Sequence, residues 1–361
     1  MTDIFKNLKV IELAGVLAGP SVGQFFAELG AEVIKVENPL TNGDVTRSWK
    51  LKSENPNEPE SAYFWSVNAF KKFLSLDLSQ SKDLNQLYDL CREADIVLCN
   101  YKKGDDIKLK VDYHSIKAIN PRVIYAAVNG FGESSERSAY DLILQAESGF
   151  MSINGEQKQA PLKMPVAIID LMAGHHLKEA ILIALWQREK TNQGKHLSVS
   201  LFDSALASLA NQAGNWLQAQ HLPTQTGSLH PNIAPYGELF ETKDHCLITF
   251  AVGSNKQFQD VCSIIDMPLL AKQSKFKTNQ LRVNNRSELY GLMYDAIKKI
   301  PFEYLYQACL EKGAPIGKIR NIKEVFELPE AQAMVKQFPF GKQNIKAVSA
   351  IAFKFHDDKA W

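Results

Sequence analysis

The sequence predicts a parallel, doubly wound α/β domain joined to a smaller α+β domain, and three observations carry that prediction. Short apolar runs of strand length alternate with amphipathic helical stretches through the first half of the chain. Several of these runs end in glycine or small polar residues, as strands do when their carboxyl ends open onto a ligand site. The chain's 361 residues also exceed what one compact core usually holds.

From Leu8 the chain reads as a strand, a small-residue turn, a short helix bearing Phe25, Phe26 and Leu29, and a second strand over Val33–Val36. Gly15, Ala18 and Gly19 admit close backbone approach, so the turn serves either a phosphate-bearing ligand or tight helix packing alone. The full G-x-G-x-x-G fingerprint is absent, which argues against a nicotinamide dinucleotide. Asn38–Pro59, with Asp44 and Arg47, reads as a long polar loop before Tyr63, Phe64 and Trp65. After Asn68 come Lys71 and Lys72, which either grip a phosphate or stand solvated, and then a strand over Phe73–Leu78. Lys82–Asp95 carries Leu84, Leu87, Leu90, Cys91 and Ala94 on one helical face. The strand Ile96–Cys99 ends in Asn100, Tyr101, Lys102, Lys103 and Gly104. A helix over Tyr113–Ile119 and a strand over Val123–Val128 follow, the strand running into Asn129 and Gly130.

Pro165–Lys190 begins with Val166–Ile169, a short apolar run read as a buried strand, and continues with Leu171, Leu177, Ile181, Leu185 and Trp186 at helical spacing. Asp170 falls between them, near a helix N-cap, where unpaired N–H groups and the helix dipole favour the carboxylate. Read alone, it is either an ordinary cap or an ionised nucleophile. Asn100, Asn129 and Asp170 would all lie at carboxyl ends of strands. Further on, Leu197–Leu201 alternates as a strand, Phe202–Leu217 is helical, and Thr224–Pro235 is rich in turn residues. These signals assign 1–210 and 322–361 to the large domain and 211–321 to the small domain and its connections. In the small domain, Leu247–Gly253 reads as a strand, with helices over Lys256–Ile265 and Ser287–Ile300. The tail has one helix and an apolar strand near Val348–Phe353 that returns to the first domain.

A net charge of +1 gives no bulk attraction to nucleic acid or to an anionic membrane, so any anionic ligand must be held locally. No apolar run reaches bilayer length and the first residues show no signal-type core, so a cytoplasmic protein is expected. Five cysteines without C-x-x-C spacing indicate neither a disulfide framework nor a zinc site. His175 and His176 are adjacent and point to different helix faces, so no metal is expected there.

Taken in order, the chain's phrases resemble the family III CoA-transferases of the CaiB/BaiF group. They are L-x-V-I-E-L-A-x-V-L-A-G-P at Leu8–Pro20, L-G-A-E-V-I-K-V-E-N-P-x-x-x-G-D-x-x-R at Leu29–Arg47, and N-P-R-V-I at Asn120–Ile124. Then come Y-D-x-x-x-Q-A-x-S-G at Tyr140–Gly149, the Asp170 segment ending in K-T-N-Q-G-K, and H-P-N-I-A-P-Y-G at His230–Gly237. The resemblance implies that Asp170 is the catalytic nucleophile. It also implies that CoA is contacted by Val16, Leu17 and Ala18, by Asn68, Lys71 and Lys72, by Asn100, Tyr101, Lys102 and Lys108, and by Tyr140 and Asp141. The implied fold is a Rossmann-like large domain with a smaller second domain, each chain a ring interlocked with its partner as a homodimer.

The implied reaction moves CoA from an acyl-CoA to a carboxylic acid, without a metal, through an aspartyl anhydride and aspartyl-CoA. Backbone amides near Asp170 and the glycines after Asn129 are the expected oxyanion donors. Two departures are visible. Many members have F-R-P-G where this chain has Tyr101, Lys102, Lys103 and Gly104, and an arginine at Lys108, so the charge remains while the two-pronged fork is lost. The glycine run that shields the site in formyl-CoA transferase has no counterpart near Thr226–Tyr236. The alternative on the same fold is an α-methylacyl-CoA racemase, which needs a second base; the family's racemases carry histidine where this chain has Tyr140.

Overall fold

The computed structural model describes residues 3–355 and divides into two units. The first runs to Phe150, resumes over Lys163–Leu222 and takes the chain from Glu330 onward; the second holds Met151–Leu162 and Pro223–Pro329. The boundaries thus fall at residues 222 and 330, and a short segment before Asp170 goes with the second unit.

In chain order, the elements up to residue 219 are β1 Lys9–Glu12, α1 Ala18–Glu28, β2 Glu32–Glu37, α2 Ala62–Asn68, β3 Lys72–Ser75, α3 Ser81–Arg92, β4 Ile96–Cys99, α4 Asp105–Lys108 and α5 Tyr113–Ile119. They continue with β5 Ile124–Asn129, α6 Asp141–Glu147, α7 Phe150–Ile153, α8 Ile168–Thr191, β6 Lys195–Ser200, α9 Leu201–Ser208 and α10 Ala210–Ala219. The six strands form one parallel sheet in the order β3-β2-β1-β4-β5-β6. Alternating residues face opposite ways. Val10, Ile96, Leu98, Ile124 and Ala126 join the core under α1 and α8, whereas Ile11, Val97, Cys99 and Tyr125 join the core under α3 and α5. Burial on both faces is why these strands read as unbroken apolar runs. The strand order reverses between β1 and β4, and there a crevice opens at the carboxyl edge.

The expected strand at Val166–Ile169 does not form. Lys195–Ser200 occupies the sheet position beside β5, and Ile168 and Ile169 instead make the first turn of α8, with Ile169 buried beside Ala173 and Leu177. Helix α8 is fixed at its far end by Arg188, buried and 2.8 Å from Asp95, whose other oxygen accepts from the Lys9 amide at 2.9 Å. At its near end Gly174 allows contact with α1, because a Cβ there would lie 2.5 Å from Ser21 Oγ and 3.2 Å from the Ala18 carbonyl oxygen.

In the second unit, β7 Tyr236–Glu241, β8 Leu247–Ala251 and β9 Ile316–Lys318 form an antiparallel sheet. It shares a core with the helices Asn255–Ile264, Arg286–Ile297 and Phe302–Lys312. The tail returns to the first unit as a hairpin, β10 Val335–Phe340 and β11 Gln343–Val348, rather than one strand near Val348. Trp65 of α2 meets Phe338 at 5.7 Å and Phe340 at 4.8 Å, which anchors that hairpin. Among the described residues no helix is long and apolar enough to cross a membrane.

Candidate active site

The turn after β1 is the first wall of the crevice. Asn100, just past β4, grips it from the neighbouring strand: Oδ1 accepts from the Gly15 amide at 3.0 Å, and Nδ2 donates to the Gly15 carbonyl at 2.8 Å. The cavity behind this clamp measures about 320 Å³. Its walls come from Gly15, Val16, Leu17 and Ala18, from Asn100, Tyr101, Lys102 and Lys103, from Asn129 and Gly130, from the segment ending at Tyr140, and from Asp170.

Asp170 is the third residue of α8 and is 8% exposed. The helix has no side-chain cap of its own at Ala167. Asp141 of α6 substitutes for one from across the fold, its Oδ1 accepting from the Ile169 amide at 2.7 Å and the Asp170 amide at 3.4 Å. Gln145 donates to the other Asp141 oxygen and accepts from the Met164 amide at 2.7 Å, tying the cap to the segment that enters α8. Burial, with the Asp141 charge adding to it, pushes the Asp170 carboxyl up to about 7. This reverses the expectation that the helix end keeps it readily ionised, because desolvation outweighs the dipole. The two amides nearest Asp170 are engaged by Asp141, and the Gly132 amide donates to Asn129 Oδ1 at 2.7 Å. Those amides are therefore not free oxyanion donors. The amino end of α1 at Leu17 and Ala18 remains on the cavity wall, where first-turn N–H groups have no intrahelical acceptor.

The structure gathers Val16, Leu17, Ala18, Asn100, Tyr101, Lys102, Tyr140 and Asp170 around one cavity, with Asp141 directly behind Asp170. Asn68, Lys71, Lys72 and Lys108 do not line it. Lys71 is neither solvated nor presented to a ligand. Its ammonium is buried, 2.9 and 2.8 Å from the two Glu12 oxygens, 2.9 Å from the Pro20 carbonyl and 2.9 Å from Asn68 Oδ1, and burial pulls it down to about 7. Lys72 is exposed and paired with Glu32, and Lys108 is exposed, 3.1 Å from Asp105.

Sequence reading gave Tyr63, Arg137 and Gln145 no role in the site. Burial raises the Tyr63 hydroxyl to about 12, with Asp170, Asp141 and Asp44 adding to it, so this phenol lies in the field of the site. Arg137 lines the cavity with its guanidinium 3.8 Å from the Phe131 ring centroid. Gln145 stands in the Y-D-x-x-x-Q-A phrase at helical spacing from Asp141, which is the signal that could have paired them.

The profile of CoA-transferase family III matches residues 5–360. The succinate–glutarate CoA-transferase of Agrobacterium fabrum is 37% identical over 345 residues, covering 92% of this chain and 86% of the relative. The human succinyl-CoA:glutarate CoA-transferase is 36% identical, covering 90% of this chain and 74% of its own. The crystal structure of a CaiB/BaiF family protein from Brucella suis superposes with a TM-score of 0.86 at 35% identity, covering 99% of this chain and 94% of the other.

Proposed function

Because the chain belongs to CoA-transferase family III, we propose that it carries CoA from an acyl-CoA donor to a carboxylic acid acceptor with Asp170 as the covalent nucleophile. The observation that carries this reading is a single buried carboxylate, Asp170, set into a cavity whose walls include the amino end of α1 and Asn100. Exchange between two acids is nearly thermoneutral, so it needs an acyl carrier and a dry site rather than an energy source.

In the first step an Asp170 oxygen attacks the thioester carbonyl, the C–S bond breaks, and CoA leaves as thiolate from a mixed anhydride. The thiolate then attacks the Asp170 carbonyl carbon, releasing the donor acid and leaving aspartyl-CoA. The acceptor carboxylate repeats both steps in reverse. Each tetrahedral intermediate carries an oxyanion, for which the first-turn amides of α1 and the Gly130 amide are the candidates on the cavity wall. Lys102, Lys103 and Arg137 line the same cavity; Lys102 offers its charge to CoA phosphates or to a second substrate carboxylate, whereas Arg137 is already paired with Glu147 and Lys103 lies 3.8 Å from Glu136 on the same wall. Asp141 acts by holding the first turn of α8 in place. The relatives named above work on succinate and glutarate, which makes dicarboxylic acids the first substrates to try.

The reading extends to a cytoplasmic homodimer of interlocked chains. Light scattering should give twice the 40.4 kDa chain mass, and a folded species at the chain mass contradicts the dimer. For the activity, the test is CoA exchange from succinyl-CoA to glutarate and then to a panel of other acids. Asp170→Ala should abolish exchange while leaving CoA binding largely intact, and substantial residual exchange would overturn the assignment.

A further inference from the structure

Val16 stands in the left-handed region at φ 71°, which a β-branched residue rarely adopts. It also lines the Asp170 cavity, so something must hold it there. The Val16 amide donates to Asp44 Oδ2 at 3.1 Å, and Lys35 Nζ sits 3.0 Å from the same oxygen. The other oxygen, Oδ1, accepts from the Thr46 amide at 3.0 Å and the Thr46 hydroxyl at 2.8 Å. Burial opposes ionisation of Asp44, yet the Lys35 charge and the Thr46 donors hold it below the usual carboxylate range. Behind it lies a chain of buried charges. Lys35 Nζ is 3.0 Å from Glu12 Oε1 and donates to the Ala14 carbonyl at 2.6 Å, while Lys71 bridges Glu12 to the Pro20 carbonyl. Helix α1 rests on this chain at Gly23, where a Cβ would fall 1.8 Å from Glu12 Oε2. The backbone from Ala14 to Pro20 is thus gripped at both ends and at Val16 by side chains that do not touch the cavity.

We infer that Asp44 is a positioning residue: anchored on Lys35 and Thr46, its carboxylate pins the Val16 amide and so keeps the Gly15–Ala18 wall of the Asp170 cavity in the shape that receives CoA. The inference rests on the CoA-transferase reading above. It also explains why the position needs a carboxylate. Both oxygens face donors, so an amide of the same size turns one NH₂ group against an N–H or an ammonium.

Asp44→Asn tests this by amide exchange across residues 13–19 and by calorimetric titration with free CoA, both well below the melting temperature. Thr46→Val, which keeps the charge balance, serves as the milder variant. Asp44→Asn should speed exchange in the turn and weaken CoA binding by roughly tenfold, the equivalent of one lost hydrogen bond to a charged group. Thr46→Val should move both in the same direction by less. A purely structural role would lower the melting temperature and leave CoA affinity of the folded protein unchanged, and that result overturns the inference; if Asp44→Asn does not fold, unchanged exchange and affinity in Thr46→Val do so. Glycine adopts positive φ freely, so in a Val16→Gly background Asp44→Asn should cost less affinity. Equal losses in both backgrounds would show that Asp44 does not act through Val16. If the wild type binds no CoA, the CoA-transferase reading fails by itself, while the exchange rates still decide whether Asp44 holds the turn.

Discussion

Two effects of opposite sign meet at Asp170. The amino end of a helix favours an anion by roughly 0.3–1 kcal/mol. Displacement of the carboxyl from 3.8 to about 7 corresponds to about 4 kcal/mol in the other direction, so burial and Asp141 prevail. Only the ionised carboxylate attacks a thioester, and kcat/KM should therefore rise with pH through a midpoint near 7. Asp141→Asn keeps an acceptor for the Ile169 amide and removes the neighbouring charge, so it should lower that midpoint; an unmoved midpoint contradicts the coupling. The same shift has a stability sign. The folded value lies above the unfolded one, so the protonated group's contribution is present below about 3.8 and is lost as pH rises through about 7. Asp170→Asn, which carries no charge, should gain more melting temperature over the wild type at about pH 8 than at about pH 5. Equal differences at the two pH values would contradict a strained, buried carboxylate. Asp170 was legible in the sequence because an acidic residue at a helix start is a local signal, sharpened by the family phrases around it. Asp44, Lys35 and Lys71 were not, because a linear pattern does not say which polar residues are buried or with whom they pair.

Elements were legible where burial is two-sided or periodic. Ile96–Cys99 and Tyr113–Ile119 occur where the apolar pattern puts them, and Ser81–Arg92 lies within a few residues of its expected span. Val166–Ile169 failed because a four-residue apolar run has no period of its own, and competition for the place beside β5 decided it. Helix α2 lies just past the expected loop at Asn38–Pro59 and had no reading of its own, because it is short: Ser61 caps it locally, accepting from the Phe64 amide at 2.9 Å, while its Trp65 packs on Phe338 of a hairpin far away in sequence. The α1–α8 contact makes a prediction at this scale. Gly174→Ala gains up to about 1 kcal/mol of helix propensity, but its Cβ meets the Ala18 carbonyl at 3.2 Å and Ser21 Oγ at 2.5 Å. Overpacking of this kind typically costs about 1–3 kcal/mol. The variant should melt lower and show a raised KM for acyl-CoA, since α1 carries the cavity wall. A higher melting temperature would mean that α1 yields without consequence.

At the scale of the whole molecule, the first unit alone supplies every wall of the cavity that contains Asp170. The second unit has its own sheet and its own core, with Arg282 buried and holding the Ala234 carbonyl at 2.7 Å. The central claim is that Asp170 forms covalent bonds in turnover, and its oxygens record it. In the proposed sequence the bridging oxygen of each anhydride leaves with the donor acid in the first half and stays on Asp170 in the second. Each turnover therefore moves one acceptor oxygen into the Asp170 side chain. The direct measurement is mass spectrometry of the Asp170 peptide after turnover with an oxygen-18-labelled dicarboxylate acceptor and unlabelled acyl-CoA. The account predicts label in Asp170 that later appears in the released donor acid; turnover that leaves Asp170 unlabelled would contradict it.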